Sequence, residues 1–194
     1  LAAGFASPVL GSQACFRALL KAMSFPGRIV EIPTMPGPPP GWPPGLAAAA
    51  LTLFDADTPV WLDASARSAE AEAYVRFHAG APLADAPAGA RFAVVLAPEY
   101  VPYDAFAIGT DQYPDRSATV LIGVKALLGG QAIRLRGPGV LTHADVAPAG
   151  ALEAFWLAWF RNNKLYPLGF DAFFFDKNRV IGLPRSAQAS LIEG

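Results

Sequence analysis

Apolar residues recur at helical intervals after Gly11-Ser12, with Phe16, Leu19, Leu20 and Met23 on one face. The spacing predicts a helix capped by Ser12 and ended by Pro26-Gly27, with Cys15 beside the apolar face and Arg17 and Lys21 on another side. A short apolar helix is expected over 46–54, ended by Asp55-Ala56-Asp57, and a second over 66–78, which includes Tyr74 and Phe77. A third, over 151–162, is strongly aromatic and carries Phe155, Trp156, Trp159 and Phe160. TPVWL at 58–62 has strand character. FAVVL at 92–96 and TVLIGV at 119–124 are continuous apolar runs, as interior strands covered on both faces would be. Ile133 to Arg136 alternates apolar and basic residues between glycine turns, the pattern of a half-buried or edge strand. Residues 170–175 and 179–183 read as a hairpin through Asp176-Lys177-Asn178. The tail from Pro184 is expected to cross the sheet or lie against a partner.

Helices and strands interleave without a repeat, which predicts a single α/β domain over 1–194 with a central mixed sheet. The segment 33–45, PTMPGPPPGWPPG, holds seven prolines in thirteen residues. It excludes a regular helix or a central strand and is expected to be a tethered connection of polyproline character.

Composition narrows the function classes. A chain of 194 residues buries roughly 70% of its unfolded surface and needs no metal or disulfide staple. Charged residues make up 16% of it, against about 25% for an average globular protein, so part of the exterior suits an apolar partner interface. The formal charge of −1, without a basic cluster or tail, argues against a nucleic-acid footprint. One cysteine, Cys15, fits a reducing, cytoplasmic setting, and its apolar helical context suggests an inert thiol. No apolar run is long enough to span a membrane, and LAAGFASPVLG lacks the charged front end of a secretory signal.

The candidate chemistry is sparse. Asp55 and Asp57 could share a proton or bind a cation, yet residues two apart commonly diverge, and an Asp turn before a strand explains them as well. No His, Cys or calcium-loop pattern supplies a metal's remaining ligands, so no metal site is expected. His78 and His143 stand without a nucleophile motif, although His143 has Asp145 nearby. Gly129-Gly130 and Gly137-Pro138-Gly139 could approach a phosphate with Arg134 or Arg136, and Arg116 and Arg185 are further candidates for an anion; tight turns are the plainer explanation of the glycines. None of Lys21, Lys125, Lys164 and Lys177 sits in an aldimine-forming motif, and no cofactor is expected. The ligand-binding candidates are therefore Asp55, Asp57, Arg134, Arg136 and Arg185, and no residue stands out as catalytic. Trp156, Trp159, Phe173 and Phe175 are candidates for a subunit interface, with core packing the competing explanation; strand 170–175 could likewise offer a sheet edge to a partner.

A distributed pattern goes further. Ser12-Gln13, Phe16-Arg17, Leu20-Lys21-Ala22-Met23 and Pro26-Gly27 are followed by LFDADTPVWL at 53–62 and RFHAGAPL at 76–83. Gly109-Thr110, ATVLIGV from Ala118, LRGPGV at 135–140, YPLGFDAFFF from Tyr166 and GLPRSAQ from Gly182 complete it. In order and spacing the chain resembles the PhnH family, subunits of the bacterial carbon–phosphorus lyase machinery for phosphonates. The Pro-rich stretch 36–44 departs from that pattern. The resemblance implies a fold like the large domain of pyridoxal-phosphate-dependent transferases, without their cofactor chemistry. It also implies a homodimer that joins PhnG, PhnI and PhnJ. In that pathway a phosphonate is coupled to the ribose of ATP with release of adenine, a step attributed mainly to PhnI with accessory subunits. Cleavage of the carbon–phosphorus bond belongs to the iron–sulfur subunit PhnJ. The leading expectation is an accessory subunit. The alternatives are an autonomous small-molecule enzyme built from Asp55, Asp57, His78 and distant arginines, or a module that binds a phosphorylated metabolite without turnover.

Overall fold

The computed structural model describes residues 1–192. Helix α1 (Pro8–Ser24) begins four residues before the expected Ser12 cap. Pro8 explains the early start: its fixed φ suits the first helical turn, where its missing N–H costs nothing. Strand β1 (Val30–Glu31) leads through the Pro-rich segment to α2 (Pro44–Leu53), again opened by proline. After β2 (Val60–Leu62), helix α3 (Ala69–Ala79) starts where the Ser68 hydroxyl accepts the Ala71 N–H, three residues later than the apolar pattern suggested. Glu70 and Glu72 in its first turn and Arg76 in its last complement the helix dipole. Strands β3 (Phe92–Val95), β4 (Thr119–Gly123), β5 (Ile133–Arg136) and β6 (Ala144–Val146) follow. The chain then forms α4 (Glu153–Asn162), β7 (Asp171–Asp176), β8 (Arg179–Leu183) and β9 (Gln188–Leu191).

Six strands form one mixed sheet in the order β1-β8-β7-β4-β3-β2. Strands β2, β3, β4 and β7 are parallel, with Val94, Leu121 and Phe173 in register, while β8 runs antiparallel to β7 and β1. Alternation along the strands divides the core. Val60, Leu62, Val94, Leu121, Phe173 and Phe175 face α1, α2 and α3. Val95, Val120, Ile122, Ala172 and Phe174 pack against α4 and the 97–118 connection. The expectation of a single α/β domain around a mixed sheet holds.

Two expectations about the C-terminal half are corrected. Strand β7 lies between β4 and β8, so it presents no edge to a partner. Strand β5 alternates buried and exposed residues as a half-buried strand, one of its two readings, and is the middle rather than the edge of a separate three-stranded sheet, β6-β5-β9, because the tail after Pro184 returns to pair antiparallel with it. The proposed interface aromatics lie inside the protein's own core. Trp156 and Phe173 are 3% and 4% exposed, and Trp159 and Phe175 are 0% exposed. Trp156 packs on Phe174 at 5.7 Å between ring centroids, and the Trp159 indole N–H donates to the Ala187 carbonyl at 3.2 Å. An aromatic helix facing a sheet of phenylalanines satisfies itself internally.

Candidate functional site

Open α/β sheets bind ligands outside the carboxyl ends of their parallel strands. In this chain that edge is covered by residues 42–45 of its own Pro-rich segment. The Ile32 N–H donates to the Asn178 carbonyl at 2.8 Å, and the Gly45 N–H to the Lys177 carbonyl at 2.6 Å, which fastens both ends of the segment to the β7–β8 turn. Between these anchors the Trp42 indole N–H donates to the Ala66 carbonyl at 3.0 Å while its ring meets Tyr74 edge-on. Trp42 is buried. Pro43 lies over Gly123 at the end of β4, where a Cβ would come 2.6 Å from Leu96 and 3.2 Å from Pro43. Only glycine admits so close an approach. The end of the stretch, Trp42 to Gly45, is thus an ordered plug, in which Pro43 and Pro44 carry no N–H group that would need a partner.

The carboxylates at the same edge are committed to the backbone. Asp63 follows β2 and is 4% exposed. One of its oxygens accepts the Ala66 N–H at 2.6 Å, and the other accepts the N–H groups of Leu96 and Ala97 at 2.9 and 2.7 Å. Asp176, the last residue of β7, accepts the Leu127 N–H at 2.8 Å and a two-pronged guanidinium from Arg179 at 2.9 and 2.6 Å. Burial pushes the Asp176 carboxyl up, but Arg179 and the Leu127 N–H outweigh it and hold it below the ordinary carboxylate value. These two residues tie neighbouring loops together. An aspartate directly after an apolar strand, as in VWL-Asp63 and FFF-Asp176, was the available signal for both.

The residues singled out for ligand binding are dispersed. Asp55 accepts the Asp57 N–H at 2.9 Å, and Thr58 bonds back to the Asp55 backbone, so this pair forms a solvent-exposed turn at the entrance to β2. Arg134 makes a bidentate pair with Asp145, both contacts at 2.8 Å, on the small sheet, where Arg136 is exposed. The hydrogen bond from Arg134 lowers the Asp145 pKa. Arg185 is held by Asp171, at the start of β7, and by the Pro114 carbonyl at 2.7 Å. Asp55 and Arg185 thus belong to the amino-terminal end of the sheet, but β2 and β7 are three strand spacings apart, about 14 Å. His78 contacts the Ala2 carbonyl at 2.9 Å and packs against Tyr74 and Phe77. Burial raises the Cys15 pKa to about 11, only partly opposed by a hydrogen bond with Thr52, which leaves the thiol protonated near neutrality. Gly137 and Gly139 adopt positive φ of 131° and 81°, as a tight turn requires.

Five surface clefts of about 290 to 610 Å³ lie elsewhere, and none is lined by Asp55, Asp57, Arg134, Arg136 or Arg185. Among the described residues no cluster of three or more His, Cys, Asp or Glu side chains could hold a metal ion, and no helix is long and apolar enough to cross a membrane.

The family model described as bacterial phosphonate metabolism protein (PhnH) matches residues 3–190. The chain belongs to the PhnH family. A relative from Rhizobium meliloti (strain 1021), described as alpha-D-ribose 1-methylphosphonate 5-triphosphate synthase subunit PhnH, is 38% identical over 185 residues, 95% of this chain and 92% of the relative. A second, a putative C-P lyase subunit protein HtxG from Stutzerimonas stutzeri, is 26% identical over 186 residues, 92% of this chain and 86% of its own length. Each match spans nearly the whole PhnH-family chain.

Proposed function

We propose that this PhnH-family chain is an accessory subunit of a carbon–phosphorus lyase assembly, supporting the coupling of a phosphonate to the ribose of ATP without performing the chemistry itself. One observation carries the reading: the carboxyl edge of the parallel strands is covered by Trp42 to Gly45, and its buried carboxylates Asp63 and Asp176 are taken up by backbone N–H groups and Arg179. A subunit of this kind forms a homodimer in the cytoplasm and joins PhnG, PhnI and PhnJ. The parallel strands with helices on both faces support kinship with the large domain of pyridoxal-phosphate-dependent transferases, from which the cofactor role has been lost. In this chain Lys125, just beyond β4, is exposed, and the edge beside it is built for packing.

The autonomous-enzyme reading needs Asp55, Asp57, His78 and an arginine in one cleft, and their separate hydrogen-bond partners argue against it. The test is reconstitution with and without this chain, following complex mass and phosphonate-dependent adenine release together. Omission is expected to lower both. Unchanged mass and unchanged adenine release on omission would exclude an accessory role.

A further inference from the structure

Helix α1 has two apolar sides. Its inner side, with Cys15, Ala18, Leu19 and Ala22, is buried against the sheet and α2. Its outer side exposes Val9, Phe16 and Leu20 at 80%, 50% and 55%. These residues are seven and then four positions apart, with Gln13 in the remaining place, which is the narrow seam along which one helix receives another. The inner side supplies the helix's fully buried contacts, and the seam leaves half or more of each of its apolar side chains in solvent. The flank of the seam is basic. Arg17 and Lys21 are exposed beside it, and Arg28 stands over the Phe25 ring at 5.4 Å just past the helix end. The first acidic residue of the chain is Glu31, so this surface has no anion of its own sequence to balance its cations.

Resting on the accessory reading above, we infer that the Val9–Phe16–Leu20 seam of α1 docks an amphipathic helix of a partner protein whose apolar stripe is edged by acidic residues. Charge decides the occupant. A second copy packed about a two-fold axis would set Arg17 and Lys21 against their equivalents, whereas acidic flanks would pair with them and steer encounter. The seam supplies the apolar anchors of a helix-in-groove contact, and the cations fix direction and register.

The test mixes the purified chain with PhnG, PhnI and PhnJ and measures assembly by sedimentation. The compared variants are Phe16→Glu/Leu20→Glu, Arg17→Glu/Lys21→Glu, and a control, Leu157→Glu, on the exposed side of α4. All altered residues are on the surface, and circular dichroism melts are expected to match the unaltered chain. The seam variant is expected to weaken assembly by at least about tenfold, as loss of central anchors does. The charge reversal is expected to weaken it and flatten its salt dependence, while the control assembles normally. Normal assembly of the seam variant overturns the docking face alone. Loss of the chain's own dimer with normal partner assembly, or seam-dependent binding to phosphatidylserine vesicles with normal partner assembly, also overturns it. Failure of the unaltered chain to assemble overturns the accessory reading and this inference together.

Discussion

Replacing Asp63 by alanine tests whether the carboxyl edge is structural. The substitution removes the acceptor for three N–H groups, but not with equal consequence. The Ala66 N–H also reaches the Asp63 backbone carbonyl at 3.1 Å and keeps that partner. The N–H groups of Leu96 and Ala97 have only the carboxylate. Leaving a buried donor without a partner costs about 1–3 kcal/mol, so two such donors bring the expected loss to roughly 2–6 kcal/mol. For a domain of this size that is on the order of 10 °C in Tm. Asp63→Asn can keep its oxygen toward Leu96 and Ala97 while turning its NH₂ toward Ala66, and is expected to lose about half as much. Urea unfolding of the purified chain reads both values. In the assembled complex, Asp63→Asn should retain the specific activity of the unaltered protein once the folded fraction is matched. A stable Asp63→Ala protein, within about 0.5 kcal/mol of the original, would refute the structural assignment. So would an activity loss in Asp63→Asn with folding intact.

The remaining expectations use the same reasoning. Trp42→Ala removes the indole of the plug and its bond to Ala66, and should cost about 3–5 kcal/mol in chemical denaturation; a loss below about 1 kcal/mol would mean the plug is not integral. Because Asp176 is held below the ordinary carboxylate range when folded, it binds fewer protons folded than unfolded, so its stabilisation is present above that range and is lost as pH falls. The stability gap between the original chain and Asp176→Asn should therefore be constant above about pH 5 and narrow as pH falls through and below the ordinary carboxylate value, and a gap constant throughout would contradict the Arg179 pairing. Cys15 should resist a thiol reagent at pH 8 in the native protein and react fully after unfolding. Native reaction at the unfolded rate would contradict its burial.

Legibility in the sequence followed how local the determining physics is. FAVVL and TVLIGV announce buried parallel strands because both faces of such strands exclude polar residues. The Asp176-Lys177-Asn178 turn is equally local and emerges as a tight hairpin between β7 and β8. The start of α1 was obscured because Gly11 and Pro8 resemble punctuation, yet proline is welcome in a first turn. Residue type could not say whether Trp156 and Trp159 face a partner or the sheet, since both settings reward large aromatics; the facing row of β7 decides it. The Pro-rich segment could be read as irregular, but its destination depends on acceptors at Ala66, Lys177 and Asn178, far away in sequence. Attention to Asp55 and Asp57 was drawn by spacing, whereas Asp63 and Asp176, each ending an apolar strand, hold the site region together.

The most direct test is to supply the purified chain, alone and at high concentration, with ATP and a phosphonate, and to follow adenine by chromatography. With its strand ends covered by residues 42–45, the accessory role proposed above predicts no release above the buffer control until the other subunits are added. Adenine formed by the chain alone, rising in proportion to its concentration and abolished by Asp63→Asn without loss of folding, would contradict the account.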